Sequence, residues 1–124
     1  MKSIMHQKDG TCYLCMLLHD DYRERRYLEE HHAIFGTRGR ELSEKYGLKI
    51  YLCEEHHRTS IEAVHVNHDI AALIQDKAQR AFERHYPKLD WMEIFGRNYK
   101  IETPAKEEQL QQDEEFGFKF IEEE

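Results

Sequence analysis

Three cysteines and one histidine are spaced as two pairs of potential metal ligands. Two residues separate Cys12 from Cys15, and two residues separate Cys53 from His56, which form a second pair about 40 residues later. Zinc takes four ligands in a tetrahedron, and a tight turn can place both members of such a pair on one ion. A single pair often arises by chance or serves redox chemistry. Two pairs that use every cysteine of the chain predict a structural zinc site.

Two histidine doublets, His31-His32 and His56-His57, lie beside these pairs. If His56 binds the zinc ion, His57 comes next on the same turn, points away from that ion and is free to bind another. His65 follows eight residues later, where it could complete a second metal site, orient another ligand or simply precede a helix cap. Imidazole-rich sites suit Mn, Ni or Zn, whereas Mg prefers oxygen ligands. All four remain candidates for the second ion.

Short strands are expected to carry the first doublet and Cys53. The charged segment 22–30 is compatible with a strand or a helical turn, and we favour a strand near 26–32 that ends at the doublet. Glycines bracket a loop-like stretch that leaves room for one helical turn over 40–46. The alternating segment LKIYLC at 48–53 predicts a second strand.

Helices are predicted in the second half of the chain. The polar stretch 54–63 begins with acidic residues, which favours a helix start. Asn67 is a suitable cap for a longer helix, whose apolar positions recur every three or four residues before Pro87. Asp90 is expected to cap a short helix over 91–95. The apolar faces of both helices are expected to form a core over the metal region.

Length and charge indicate one small domain with a tail. A chain of 124 residues accommodates one core, which we assign to 1–100. The tail, 101–124, holds nine acidic residues against Lys106 and Lys119, which accounts for the whole net charge of -7. The charge of the chain therefore says little about the surface of the domain.

Several features predict a cytoplasmic protein without a membrane span. No apolar run approaches the roughly 18 residues that a span requires, and the N-terminus lacks the apolar core of a signal peptide. Three cysteines cannot all pair within one chain, and the close spacing of Cys12 and Cys15 favours metal or redox chemistry in a reducing compartment.

Arginines near the histidine doublets are candidates for binding phosphate. Arg38 and Arg40 lie in the glycine-rich stretch, and Arg58 follows the second doublet. A further arginine cluster over 23–26 has two interpretations of equal weight. It could bind phosphate, or it could pair with neighbouring acidic residues on a solvated face.

These segments together resemble the HNH family of endonucleases in its zinc-knuckle form. The resemblance lies in CYLC at 12–15, LEEHHAI at 28–34 and LKIYLCEEHH at 48–57, and it covers about residues 10–68. Small phage-encoded proteins are the most similar members. The resemblance implies an α+β fold with a small ββα-metal core, a zinc knuckle and additional C-terminal helices.

The resemblance also implies roles for the histidines. His32 matches the family's general base, which takes a proton from the water that attacks a phosphodiester. His31 and His57 match the ligands of the catalytic divalent ion, with the zinc as a separate structural ion. The implied activity is DNA hydrolysis in a bacterial host cytoplasm, with a second copy or a protein partner assisting so small a unit.

One family position differs and keeps a second function open. The family's middle Asn, which pins the loop between the strands, is replaced by Leu48, so Thr37 and Ser43 are candidates to take over its role. The alternative is a catalytically inactive zinc-binding module that binds nucleic acid or a protein partner, such as a phage accessory protein or inhibitor. The missing Asn and the acidic tail favour this alternative.

Overall fold

A computed structural model describes residues 2–101 and has an α+β fold of five helical elements around a two-stranded antiparallel sheet. The acidic segment expected to form a tail lies outside the described residues, except for Ile101. No helix within 2–101 has the length and apolarity needed to cross a bilayer. The elements in chain order are α1 (Tyr13–His19), β1 (Glu29–His32), α2 (Thr37–Tyr46), β2 (Lys49–Leu52), a π-helical turn (Glu55–Thr59), α3 (His68–His85) and α4 (Trp91–Phe95).

The two predicted strands are present, and a complete helix connects them. β1 pairs antiparallel with β2, so that His31 faces Ile50. The prediction of one helical turn over 40–46 was too short, because α2 has ten residues. Gly39 explains the difference, since a Cβ atom there would lie 2.8 Å from the carbonyl oxygen of Ile34. A glycine that suggested a loop instead lets α2 pack closely against the end of β1.

The two ligand pairs are carried by helical turns. Cys12 is the N-cap residue of α1, so the predicted turn continues into a seven-residue helix. The predicted helix start over 54–63 is instead a single π-helical turn, closed by a 2.9 Å hydrogen bond from Ser60 N to Glu55 O. The chain then folds back, and His65 N donates to His57 O at 3.3 Å. This reversal places His65 beside His57.

The long helix α3 forms as the sequence predicts. The Asn67 side chain accepts hydrogen bonds from the backbone N–H groups of Asp69 and Ile70 at its first turn. Its apolar face supplies Ile74, Ala78 and Phe82 to the core. This face packs with Leu48, with Ile50 and Leu52 of β2 and with Trp91 of α4.

After α4 the chain returns along α3. The Asp90 side chain caps α4 as predicted, accepting from Met92 N at 3.0 Å. The buried Gln79 of α3 accepts a 2.6 Å hydrogen bond from Tyr99 N, while Trp91 Nε1 donates to the Arg97 carbonyl at 2.7 Å. These bonds hold the segment 97–101 against α3.

Candidate metal centres

The four residues predicted to bind zinc lie together and are buried. His56 Nδ1 lies 3.7, 3.3 and 3.5 Å from the Sγ atoms of Cys12, Cys15 and Cys53, respectively. The Sγ atoms of Cys15 and Cys53 are 3.9 Å apart. With usual zinc–ligand bond lengths, the ligand atoms of a tetrahedral site are about 3.5 to 3.8 Å apart. The cluster, which we call the knuckle, therefore has the size of a zinc site.

The chemistry of the knuckle also suits zinc better than a disulfide. All three cysteines are free thiols, and 3.9 Å is far longer than an S–S bond. Burial raises the pKa of Cys53 to about 12 and also raises the pKa of Cys15, so a cation is needed to hold these sulfurs as thiolates. Arg25 Nη2 donates to Cys15 Sγ at 3.1 Å and adds positive charge there. Three sulfurs and one imidazole fill a tetrahedron and leave no position for water.

A carboxylate that sequence analysis did not identify orients His56. His56 Nε2 donates to Glu62 Oε1 at 2.9 Å, which leaves the Nδ1 lone pair facing the three sulfurs. His19 Nε2 contacts the same oxygen at 2.7 Å. Carboxylates that hold the far nitrogen of a ligating histidine strengthen metal binding. No spacing signal distinguishes Glu62 from the other acidic residues, because the chain has 25 of them.

Replacing Glu62 with alanine is expected to weaken zinc binding by the knuckle. Outer partners of this kind contribute roughly 10- to 100-fold to metal affinity, so we expect a loss of that size for Glu62→Ala. Competition with a chromophoric chelator measures the affinity. The control is Glu54→Ala, because Glu54 is exposed and its side chain makes no capping hydrogen bond. Equal zinc affinities for the two variants would show that Glu62 does not assist the knuckle.

A second cluster joins three of the predicted metal-site histidines. His31, His57 and His65 each offer a nitrogen within 4.8 Å of the other two. His57 Nε2 and His65 Nε2 are 3.1 Å apart, and two imidazole nitrogens bound to one ion are about 3.0 to 3.4 Å apart. His31 Nε2 is buried and has no hydrogen-bond partner among residues 2–101. A buried polar nitrogen without a partner is rare, and a metal ion would supply the missing contact.

In this triad, meaning His31, His57 and His65, the state of two rings favours metal binding. Burial lowers the pKa of His31 to about 3 and also lowers the pKa of His65, so both rings are neutral near pH 7. Glu29 forms a short hydrogen bond with His57 Nδ1, which directs Nε2 toward His65. Arg58 Nε also donates to Glu29, at 3.1 Å. Three imidazole ligands leave at least one coordination position open, as in catalytic metal sites.

A cleft of about 420 Å³ opens beside the triad. It is lined by the predicted general base His32 and by two of the three arginines predicted to bind nucleic acid, Arg40 and Arg58. Arg38 is exposed but does not line the cleft. The structure therefore brings the triad, His32, Arg40 and Arg58 together around one cleft, whereas Arg38 lies outside it.

His32 lines the cleft but does not belong to the triad. Its Nε2 lies 3.0 Å from Glu44 Oε1 on α2. This hydrogen bond lowers the pKa of Glu44 to about 2, with Lys49 adding to the effect, so the Glu44 carboxyl stays ionised. Neighbouring residues of a strand point to opposite sides, which explains why only His31 joins the triad.

Two arginines of the cluster over 23–26 pair with a neighbouring acidic residue, which is the second of the two interpretations given above. Arg23 and Arg25 form ion pairs with Asp21 at 2.9 and 3.3 Å. Arg25 additionally contacts Cys15 of the knuckle. At these positions the positive charge is used within the domain.

Comparisons with known proteins identify no relative of this chain. No protein-family model matches it, and searches of curated proteins and of solved structures give no significant match. The features of the molecule that bear on its function are the knuckle, the triad and the cleft.

Proposed function

We propose that this protein is an HNH-type endonuclease that hydrolyses DNA phosphodiester bonds with a divalent metal ion, and that zinc in the knuckle has a structural role. The observation that carries the proposal is the triad, whose His31 Nε2 is buried beside a cleft containing His32 and has no hydrogen-bond partner in the described part of the chain. A module that needed only a structural zinc ion would have no use for a second cluster of histidines, two of which are buried.

The order of the elements supports a ββα-metal core. Two antiparallel strands are followed by the π-helical turn, which carries His57 to the side of His31 on the first strand. The knuckle ligand His56 precedes His57 directly, so that one short turn serves both clusters. Binding of zinc would therefore also fix the position of His57.

Ser43 is a good substitute for the missing Asn of the family pattern. Its hydroxyl is fully buried and accepts a 3.2 Å hydrogen bond from Ile34 N, just after β1. Its carbonyl accepts from Leu48 N at 2.8 Å, just before β2. Ser43 thus ties together both ends of the connection between the strands. Thr37, the other candidate, is exposed at the start of α2.

The chain's own groups suit phosphodiester hydrolysis. A divalent ion bound by the triad would stabilise the charge that develops on the phosphate and on the leaving oxygen. With His32 Nε2–H donating to Glu44, Nδ1 keeps its lone pair and can take a proton from the attacking water. Arg40 lines the cleft with Arg58, whose side chain is 59 % exposed although its Nε donates to Glu29, and both guanidinium groups can contact the DNA backbone. Since two arginines form a small contact surface, we expect a second copy or a protein partner to extend it.

Metal-stimulated nicking of supercoiled plasmid tests the proposal. The zinc-loaded full-length protein is expected to nick DNA when Mn, Ni, Mg or additional Zn is supplied and to show little activity without it. His65→Ala, purified in parallel, should keep one zinc ion in the knuckle but require a higher concentration of the second metal, because only two triad ligands remain. Equal nicking by the two proteins at every metal concentration would point to a contaminating nuclease.

The alternative function has a distinct outcome in the same experiment. A protein with about one zinc ion per chain and no metal-stimulated nicking would be a catalytically inactive zinc-binding module. Gel-shift measurements on the same preparation would then show whether this module binds DNA or requires a protein partner.

A further inference from the structure

A second cavity, of about 570 Å³, adjoins the cleft beside the triad. The two spaces share Phe35, Gly36 and His65 in their walls. Because His65 belongs to the triad, a ligand in this cavity would lie next to anything bound at the metal. The volume lies within the range of about 300 to 1,000 Å³ that is typical of small-molecule sites. The nuclease chemistry proposed above makes no use of this cavity.

The walls of the cavity are formed by elements that are held in place. The first turns of α3 contribute Ala72 and Gln75, while Arg97 and Tyr99 come from the returning segment. The Tyr99 backbone is fixed by the buried Gln79 through a 2.6 Å hydrogen bond. The cavity is therefore bounded by a regular helix and a tethered segment.

The chemistry of the walls suits a flat aromatic group attached to an anion. Phe35 is 44 % exposed, and its ring stacks on His65 with centroids 5.9 Å apart and planes at 14°. The Arg97 guanidinium lies 5.2 Å from the centre of the Tyr99 ring. None of the lining residues is acidic, although the chain contains 25 Asp and Glu residues. Nucleobases stack on aromatic rings and on arginine planes, and nucleotides carry negative charge.

Gln75 adds the capacity for hydrogen bonding. Its side chain is half-buried in the cavity wall, and no hydrogen bond within residues 2–101 uses its amide. An amide offers both a donor and an acceptor, which matches the edges of nucleobases. The cavity thus combines stacking surfaces, a positive charge and a free amide.

We propose that this cavity binds the base of an unpaired nucleotide adjacent to the phosphate held at the triad. The inference builds on the proposed nuclease function by naming the form of DNA that the site prefers. In a duplex each base is stacked and paired, so a base enters such a cavity only when it is already unpaired or has been flipped out. The protein therefore selects DNA with an unpaired nucleotide over a continuous duplex.

Binding measurements without cleavage test this selection. The probes are two fluorescein-labelled duplexes of the same sequence, one fully paired and one with a single bulged nucleotide. Anisotropy titration with the zinc-loaded full-length protein, with no further metal added, gives both affinities. Stacking of one base predicts that the bulged duplex binds roughly tenfold more tightly. Equal affinities of the wild-type protein for the two duplexes would overturn the inference.

Two variants locate the selection in the cavity. Ala72→Phe fills it and is expected to remove the preference for the bulged duplex. The matched control, Leu73→Phe, adds an aromatic ring at the neighbouring half-buried position of α3, which does not line the cavity, and should retain the preference. If Ala72→Phe loses its zinc, Arg97→Ala replaces it as the cavity variant. Arg97 is exposed, so its loss should not unfold the protein, and the preference for the bulged duplex should fall. A preference that persists in the folded cavity variants contradicts the inference.

The outcomes for the cavity and for the nuclease can be separated. Preferential binding of the bulged duplex without metal-stimulated nicking would support base binding in the cavity and contradict the proposed nuclease function. Nicking by a wild-type protein with equal affinities for both duplexes would support the nuclease function and contradict base binding in the cavity.

Discussion

Substituting alanine for Cys53 is expected to abolish binding of the zinc ion and to unfold the domain. Cys53 is 4 % exposed and links β2 to the π-helical turn that carries His56 and His57. Structural zinc in small domains contributes an apparent binding free energy of about 10 to 16 kcal/mol. A small domain has a net stability of only about 5 to 15 kcal/mol, so loss of the ion removes most or all of it. Metal analysis per chain and thermal unfolding followed by circular dichroism measure the two effects.

Leu17→Ala is the control for this prediction. Leu17 lies on α1 near the knuckle but is 40 % exposed, so its loss should change stability by about 0.5 kcal/mol or less and leave zinc content at one ion per chain. If Cys53→Ala bound one zinc ion and unfolded at the wild-type temperature, the knuckle would not be a structural zinc site.

Replacing His32 with alanine is expected to reduce metal-dependent nicking by roughly 100- to 10,000-fold, the usual contribution of a positioned general base. His32 lines the cleft and is held by Glu44 rather than by the triad. The variant should therefore keep both its zinc content and its affinity for the second metal. Initial rates of plasmid nicking at saturating Mn, with metal binding followed by calorimetry, separate proton transfer from metal binding.

His85→Ala provides a matched control for the His32 variant. His85 is an exposed histidine at the end of α3 and lines neither the cleft nor the adjoining cavity, so its loss should leave the nicking rate unchanged. A His32→Ala protein that nicks DNA at the wild-type rate would exclude His32 as the general base. A simultaneous loss of the second metal would instead assign His32 to the metal site.

The knuckle and α3 are the parts that the sequence predicts most directly. Ligand pairs such as Cys12 and Cys15 depend on the geometry of a single turn, which their spacing specifies. The cap at Asn67 and the repeat of apolar residues along α3 are likewise local, because a helix places every third or fourth residue on one face. Such local patterns need no knowledge of distant parts of the chain.

The connection between the strands shows where local patterns fail. Glycines at 36, 39 and 47 resemble loop residues, yet Gly39 lies inside α2 because the helix packs against the Ile34 backbone. The stretch after Cys53 suggested an ordinary helix but contains only a π-helical turn, whose reversal brings His65 back to His57. In both places packing between separate elements outweighs local propensity.

The sequence by itself determined which residues could bind metal, since two close ligand pairs and two histidine doublets are visible in the chain. Only the tertiary structure decided how the histidines outside the knuckle are grouped and which side chains hold them. It placed His31 with His57 and His65, and it directed His32 to a separate partner. It also selected three carboxylates that orient the histidines, Glu29, Glu44 and Glu62. The physical reason is that a hydrogen bond such as the one between Glu29 and His57 joins residues 28 positions apart, and its formation depends on the packing of the strands and turns between them.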